Sequence, residues 1–307
     1  MEDLKEPIAA APAAPVRPDR TGRRWGRIVL YVLATVGVLA LALIVLAYYL
    51  NANEARKRVT IDEAAVIDNV MGETYGKYSA AKKGWLYVGD DDVTYLMRVV
   101  QQAKIPDGED GDELYFVASG NDVNGGANAL YGVFYVHPDG KAGLAQENTQ
   151  IRYPSTAPVR PEQVHFEALS ENLWGWVIKT RDDADPGYAV TTTNTVLAPH
   201  DGQIAVLAEF VAARDATPDK SCEEAKAEWD AWEKEMEDEE GDFRIPLRCD
   251  KRRWTYRTAT VNGNIPVPIT VTAGGTLDGK AVEARSWKLM FDPKSFTYTI
   301  PDDLKEQ

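Results

Sequence analysis

The sequence predicts an α+β protein: one transmembrane helix followed by a mostly antiparallel β extracytoplasmic domain with N-terminal helices and one disulfide-tethered helix. Three observations carry that prediction. Residues 28–50 are 23 consecutive uncharged, mostly apolar residues. From Glu113 onward, short runs of β-branched and aromatic residues alternate with Gly, Asp, Asn and Pro turns. The two cysteines, Cys222 and Cys249, bracket an amphipathic helical pattern.

The first element is a tail, residues 1–27, with six Lys/Arg against four Asp/Glu. Its stretch PIAAAPAAPVRP has no aromatic residue and cannot build a core, so it is expected to be extended and disordered. The apolar run that follows spans about 35 Å as a helix, enough for a hydrocarbon core of about 30 Å. It is longer than the ordinary apolar region of a cleaved signal peptide, and no A-x-A site follows it, so an uncleaved anchor is expected. Trp25 and Tyr31 at one end and Tyr48 and Tyr49 at the other suit the two interfaces. Arg17, Arg20, Arg23, Arg24 and Arg27 precede the run, whereas Arg56, Lys57 and Arg58 follow it. That bias places the N-terminus in the cytoplasm. No Asn begins an N-x-Ser/Thr sequon, which favours a bacterial inner membrane with the C-terminal domain in the periplasm.

Residues 51–105 read as a stalk and helical segment. Ile61, Ala64, Ile67, Met71, Tyr75 and Tyr78 fall near one face of a helix over 60–81. Val93, Leu96, Met97 and Val100 have the i, i+3, i+4, i+7 spacing of a second helix over 91–104, with Asp90, Asp91 and Asp92 at its start. Residues 106–307 form the β-rich domain, with a loop at 153–161 that divides it into two possible sub-domains. ELYFVAS, ALYGVFYV, WGWVIKTR, YAVTTTNTVLA and IAVLAEFVAA read as strands. WTYRTATV pairs with IPVPITVT, and SWKLMF with FTYTI, as hairpins. Pro266 and Pro268 remove two amide donors, which predicts an edge strand there.

Ser221 and Glu224 have the spacing of a capping box, opening a helix that runs to Gly241 with Ala225, Trp229, Trp232 and Met236 on one stripe. A helix of about 18 residues is roughly 27 Å long, and the eight residues from Gly241 to Cys249 reach back about 28 Å at most. Cys249 can therefore return to Cys222, and a disulfide is expected in an oxidising compartment.

Composition excludes some functions. The chain carries a formal charge of −14, and the tail contributes +2, leaving −16 beyond it. Such a surface does not attract nucleic acid. There is no P-loop, no G-x-G-x-x-G and no G-x-S-x-G, so neither a cofactor nor a catalytic residue is assigned. DGEDGDE at 107–113 and NDVNGG at 121–126 hold oxygen ligands but lack the EF-hand pattern, and no metal site is assigned. His137 in HPDG and His200 in PHDG sit in turn contexts, and His165 stands alone. Trp174 and Trp176 share one face of a strand and are read as core, with a partner-binding groove as the alternative. The expected partners are membrane lipid through residues 28–50 and other envelope proteins. The expected role is a non-catalytic subunit of an envelope assembly; the alternatives are an envelope hydrolase and a membrane-anchored ligand sensor.

Overall fold

The computed structural model describes residues 22–55, 59–90, 92–106, 108, 111–126, 128–139, 143–153, 157–182, 189–217, 220–235 and 249–305. The chain divides into two units, residues 1–58 and 59–307. Of the tail 1–27 expected to be disordered, residues 1–21 lie outside the described residues and residues 22–27 are helical, forming the start of the first helix.

In the first unit, α1 (Gly22–Ala55) contains the apolar run. Its section Ile28–Tyr49 has a mean hydropathy of 2.9 and none of it is buried within the chain. Leu, Ile and Val side chains point outward on all sides of the helix, as lipid solvation requires.

The second unit begins with α2 (Glu63–Tyr75). The Asp62 carboxylate accepts from the Ala65 amide at 3.3 Å, and Gly76 at φ +89° ends the helix. Ile67, Val70, Met71 and Tyr75 form its buried stripe. This helix is shorter than the 60–81 expectation, and it packs into a core rather than standing as a stalk.

A six-stranded antiparallel meander follows: β1 (Tyr78–Ser79), β2 (Gly84–Val88), β3 (Thr94–Ile105), β4 (Glu113–Asp122), β5 (Ala129–Pro138) and β6 (Leu144–Tyr153), paired in that order. The expected helix over 91–104 is strand β3. Tyr95, Met97 and Val99 face α2, a bulge lies between Val99 and Gln101, and Val100, Ala103 and Ile105 then face the other layer. Burial on both faces, shifted by one residue at the bulge, reproduces a helical spacing in an extended chain. Asp90 and Asp92 before it lie in a hairpin turn instead of a helix cap: the Gly89 amide donates to Val93 O, and Asp92 sits at φ +60°, while Asp91 lies outside the described residues.

After a short 3-10 turn at Pro161–Gln163 the chain enters a second antiparallel sheet. Its strands are β7 (Val164–Ser170), β8 (Leu173–Asp182), β9 (Val190–His200), β10 (Gln203–Asp215), β11 (Lys251–Thr258), β12 (Ile269–Leu277), β13 (Lys280–Ala281), β14 (Arg285–Asp292) and β15 (Thr297–Thr299). The order is β15-β14-β12-β11-β10-β9-β8-β7, with β13 paired to β12. Helix α3 (Cys222–Glu235) interrupts β10 and β11, and α4 (Asp302–Lys305) closes the described chain. The segment near 153–161 is where the chain changes sheet. β12 is central, not an edge: Pro266 and Pro268 precede its first residue, Ile269, so neither withdraws a donor from the ladder.

Three clusters hold the second unit together. One joins α2 to β3, β4 and β5, where Phe116 and Phe134 stack at 4.5 Å. Another joins the opposite face of β4 and β5 to β7, β8, β9 and β10, through Tyr131, Val133, Trp176, Ile178 and Leu197. β4 therefore reads as a continuous apolar run, since both of its faces are covered. The third lies inside the second sheet, which curls until the segment after β11 reaches β7: Val267 N–H donates to Leu169 O at 2.7 Å and Glu171 N–H to Gly263 O at 3.0 Å. Each large apolar side chain so enclosed stabilises the fold by about 1.5–3 kcal/mol before conformational entropy is counted.

Candidate functional site

The disulfide expected from sequence is present. Cys222 and Cys249 are bonded, with Cα atoms 5.4 Å apart. The capping box is also made: Ser221 Oγ accepts from the Glu224 amide at 3.2 Å, and Glu224 Oε2 accepts from the Ser221 amide at 2.8 Å. That amide bond holds the Glu224 carboxyl below the ordinary glutamate range. The continuation of the helix to Gly241, Met236 and the return to Cys249 lie outside the described residues. Among the described side chains of α3 only Ala225 is buried. Trp229 and Trp232, one turn apart, lie with ring centroids at 5.0 Å, and Trp232 is 38% exposed.

Trp174 and Trp176 share a face, as their spacing requires. Trp176 is only 1% exposed and belongs to the core between the sheets, so its ring offers no outward surface. Trp174 is half-buried and stacks on Phe166 at 5.2 Å. From Phe166 the ring contacts continue through Tyr115 and Tyr135 to His137. Burial pushes the Tyr115 and Tyr135 hydroxyls up, and Glu113 adds to both; Tyr135 raises Tyr115 further, whereas the hydrogen bond with Tyr115 opposes the rise at Tyr135.

The two turn histidines converge on a carboxylate that the sequence did not mark. His137 at the end of β5 places Nε2 3.6 Å from Glu147 Oε1 on β6. His137 Nδ1 lies 2.9 Å from Pro138 O, and a carbonyl only accepts, so Nδ1 carries a proton. His200 enters from the β9–β10 hairpin, where it stacks on Phe296 and its Nε2 lies 3.3 Å from Asp201. Burial raises the Glu147 carboxyl above its ordinary value, opposed by His137 and His200 and aided by Asp201. The group holds its proton to higher pH than a solvated glutamate does. No sequence signal pointed here, because Glu147 is one of 48 acids.

Asp107, Glu109 and Asp110 lie outside the described residues, and the described acids Asp112 and Asp122 of the loops weighed as cation sites spend their oxygens on the chain itself. Asp122 accepts from the Asn124 and Gly126 amides at 2.8 and 3.0 Å. Asp112 accepts from the Ile61 amide and pairs with Lys104 at 2.7 Å. Among the described residues no three His, Cys, Asp or Glu side chains gather as a metal site.

One recess reverses the prevailing charge. A cavity of about 170 Å³ opens at the β8–β11 end of the second sheet. Its charged lining is Arg181, Arg214, Lys251, Arg252 and Arg253 with Asp215. The Arg252 guanidinium lies over the Trp254 ring at 4.9 Å. Lys251 Nζ donates to Thr217 O and Lys220 O, fixing the turn that leads to α3.

No protein family matches the chain, and no curated protein or solved structure is significantly similar to it. A functional reading therefore rests on the chain's own residues.

Proposed function

We propose that this is a single-pass protein of a bacterial inner membrane, with its N-terminus in the cytoplasm and residues 59–307 in the periplasm. Its outer unit binds other proteins as a non-catalytic subunit of an envelope assembly, and residues 28–50 sit in lipid. The observation that carries the binding role is α3, a helix pinned at its first residue by a disulfide that leaves the Trp229–Trp232 pair beside solvent. Tryptophans dominate binding energy at protein interfaces because they bury a large area with few rotamers to freeze. The anchor is supported by the fully outward apolar side chains of Ile28–Tyr49 and by the arginines that precede them. An oxidised pair of cysteines suits a compartment outside the cytosol.

Two measurements test the reading. A C-terminal reporter active only outside the cytoplasm should work; one active only inside would reverse the topology. The full chain purified in mild detergent should bring a companion in constant ratio, released by the double substitution Trp229→Ala and Trp232→Ala without loss of the folded spectrum. A chain that purifies alone, or a companion indifferent to that double substitution, defeats the binding role at α3.

A further inference from the structure

We infer that the tip of the β1–β2 hairpin is a second membrane contact of this chain, one that docks on anionic phospholipid headgroups. The inference rests on the anchor reading of residues 28–50. Residues 74–89 hold three lysines and no Asp or Glu, in a chain that carries 48 acids against 34 Lys and Arg. Every residue from Lys77 to Lys83 except Ser79 is exposed. Lys77, Lys82 and Lys83 make no ion pair among the described residues. Arg98 of β3 adds a fourth cation and spends its donors on the turn's backbone: Nε donates to Lys83 O at 3.0 Å and Nη2 to Lys82 O at 2.9 Å. The turn is thereby held in shape, and Ser79 Oγ accepts from the Lys82 amide at 3.3 Å. Lys83 sits at φ +55°, which glycine or asparagine adopts at lower cost, so a cation stands where the backbone favours neither charge nor bulk.

Aromatic residues complete the surface. Tyr78 and Trp85 stand directly across from one another in the ladder with ring centroids 4.9 Å apart, and Tyr78 is 48% exposed. A ring with a polar edge, flanked by long cationic side chains, suits the headgroup layer. The acids of the outer unit stand away from the tip. Asp90 and Asp92 lie beyond the other end of β2, a strand of about 17 Å. Glu113 pairs with Ile105, about 23 Å along β3 from Arg98. Both distances exceed the Debye length of about 8 Å at physiological salt. Glu73, the nearest acid in sequence, accepts from Asn69 Nδ2 on its own helix. Reach favours the bilayer over other anionic surfaces. Nine residues lie between Tyr49 and Val59, so at most about 36 Å of chain follows the apolar section before the outer unit begins. The chain enters that unit beside β3, where Lys104 Nζ donates to Ile61 O, about 20 Å along the strand from Arg98. Tethering at that range raises the effective concentration of headgroups, so a few cations, each strengthening the contact roughly fivefold, suffice.

A fluorophore at the tip reads the contact. Both cysteines of the chain are in the disulfide, so Ala81→Cys supplies a single free thiol for an environment-sensitive nitrobenzoxadiazole label. The labelled full-length chain in nanodiscs containing phosphatidylglycerol should emit about twice as strongly as in pure phosphatidylcholine, and high salt should remove the difference. Adding Lys82→Gln and Lys83→Gln should weaken docking roughly 25-fold and return the emission to the phosphatidylcholine level. Lys82→Arg with Lys83→Arg should keep the rise. The same label placed by Lys288→Cys, at an exposed position of β14, should not respond to the lipid. Co-purification with pure phosphatidylcholine nanodiscs reads the anchor alone and should be equal for every variant, so loss of the anchor and loss of the tip contact give different results. Equal emission in the two lipids, or a rise that survives the glutamine pair, overturns the contact. A label that stays aqueous in both lipids and responds only to an acidic protein overturns it as well and gives the hairpin to that partner.

Discussion

His137 Nε2 stands 3.6 Å from Glu147 Oε1, while Glu147 Oε2 is buried without a hydrogen-bond partner among the described residues. The carboxylate is therefore under-compensated, and its proton affinity rises in the folded chain. The sign of the pH effect follows. Between the ordinary glutamate value near 4.5 and the raised folded value, the folded chain binds more protons than the unfolded one. Stability then falls as pH rises through that window and stays lower above it. His137, His200 and Asp201 are the charged groups that set the window. Glu147→Gln removes the titration. It should raise Tm by about 2 °C at pH 8 and by nothing measurable near pH 4. A loss of stability at pH 8 would mean that the ionised carboxylate and His137 form a net favourable pair.

Much of the chain was legible because local chemistry and tertiary structure agree. PHDG places Asp201 and Gly202 at φ +50° and +79°, the two left-handed positions of a tight hairpin. Ser221 and Glu224 close the capping box that their spacing announces. The failures come where packing overrides pattern. β3 is buried on both faces and bulged, so its apolar residues fall at helical intervals. Pro266 and Pro268 pointed to an edge because the strand was begun at Ile265, whereas it begins at Ile269. The histidine–glutamate cluster and the arginine recess were invisible: His200 joins the His137–Glu147 hairpin pair from the other sheet, and the recess gathers residues from β8 to β11.

The disulfide should protect α3 more than it protects the sheets. Its loop spans 27 residues, which in the chain-entropy model is worth roughly 3–4 kcal/mol to the fold. Here the ladder from Ala213 to Asp215 with Lys251 to Arg253 closes nearly the same loop without it. The pair of substitutions Cys222→Ser and Cys249→Ser should therefore cost less than that value. Hydrogen exchange should speed up across residues 222–235 while amides of β8–β10 stay protected. Simultaneous loss of protection in α3 and both sheets would show that the bond supports the whole unit.

Gly132 lets α2 sit on the first sheet. A Cβ there would lie 2.1 Å from Tyr75 Oη, and Tyr75 is 2% exposed, with edge-on contacts to Tyr87 and Phe134. Its ring has little room to retreat, so Gly132→Ala should destabilise by about 1–3 kcal/mol. Tyr75 Oη is buried without a hydrogen-bond partner among the described residues, so Tyr75→Phe alone should cost little. The double variant should recover most of the Gly132→Ala loss, read as a coupling in a denaturant-unfolding cycle. Purely additive losses would place the strain elsewhere.

The membrane assignment is open to a direct test because the section Ile28–Tyr49 of α1 buries nothing within the chain. Leu39 is 59% exposed near the middle of Ile28–Tyr49, with Val38 and Leu41 as outward-facing as itself. A bilayer would supply the apolar surroundings those side chains lack. Leu39→Arg replaces a residue favoured at the bilayer centre with one costing about 2.5–3.5 kcal/mol there. The full-length chain should resist extraction by alkaline carbonate, and the variant should release a measurably larger soluble fraction. Tyr31→Arg, at the interface, should leave extraction unchanged, because a long cationic side chain there reaches the headgroups. Equal extraction of all three, or mature protein that begins after residue 50, would remove the anchor from which the periplasmic reading of Cys222, Cys249 and α3 proceeds.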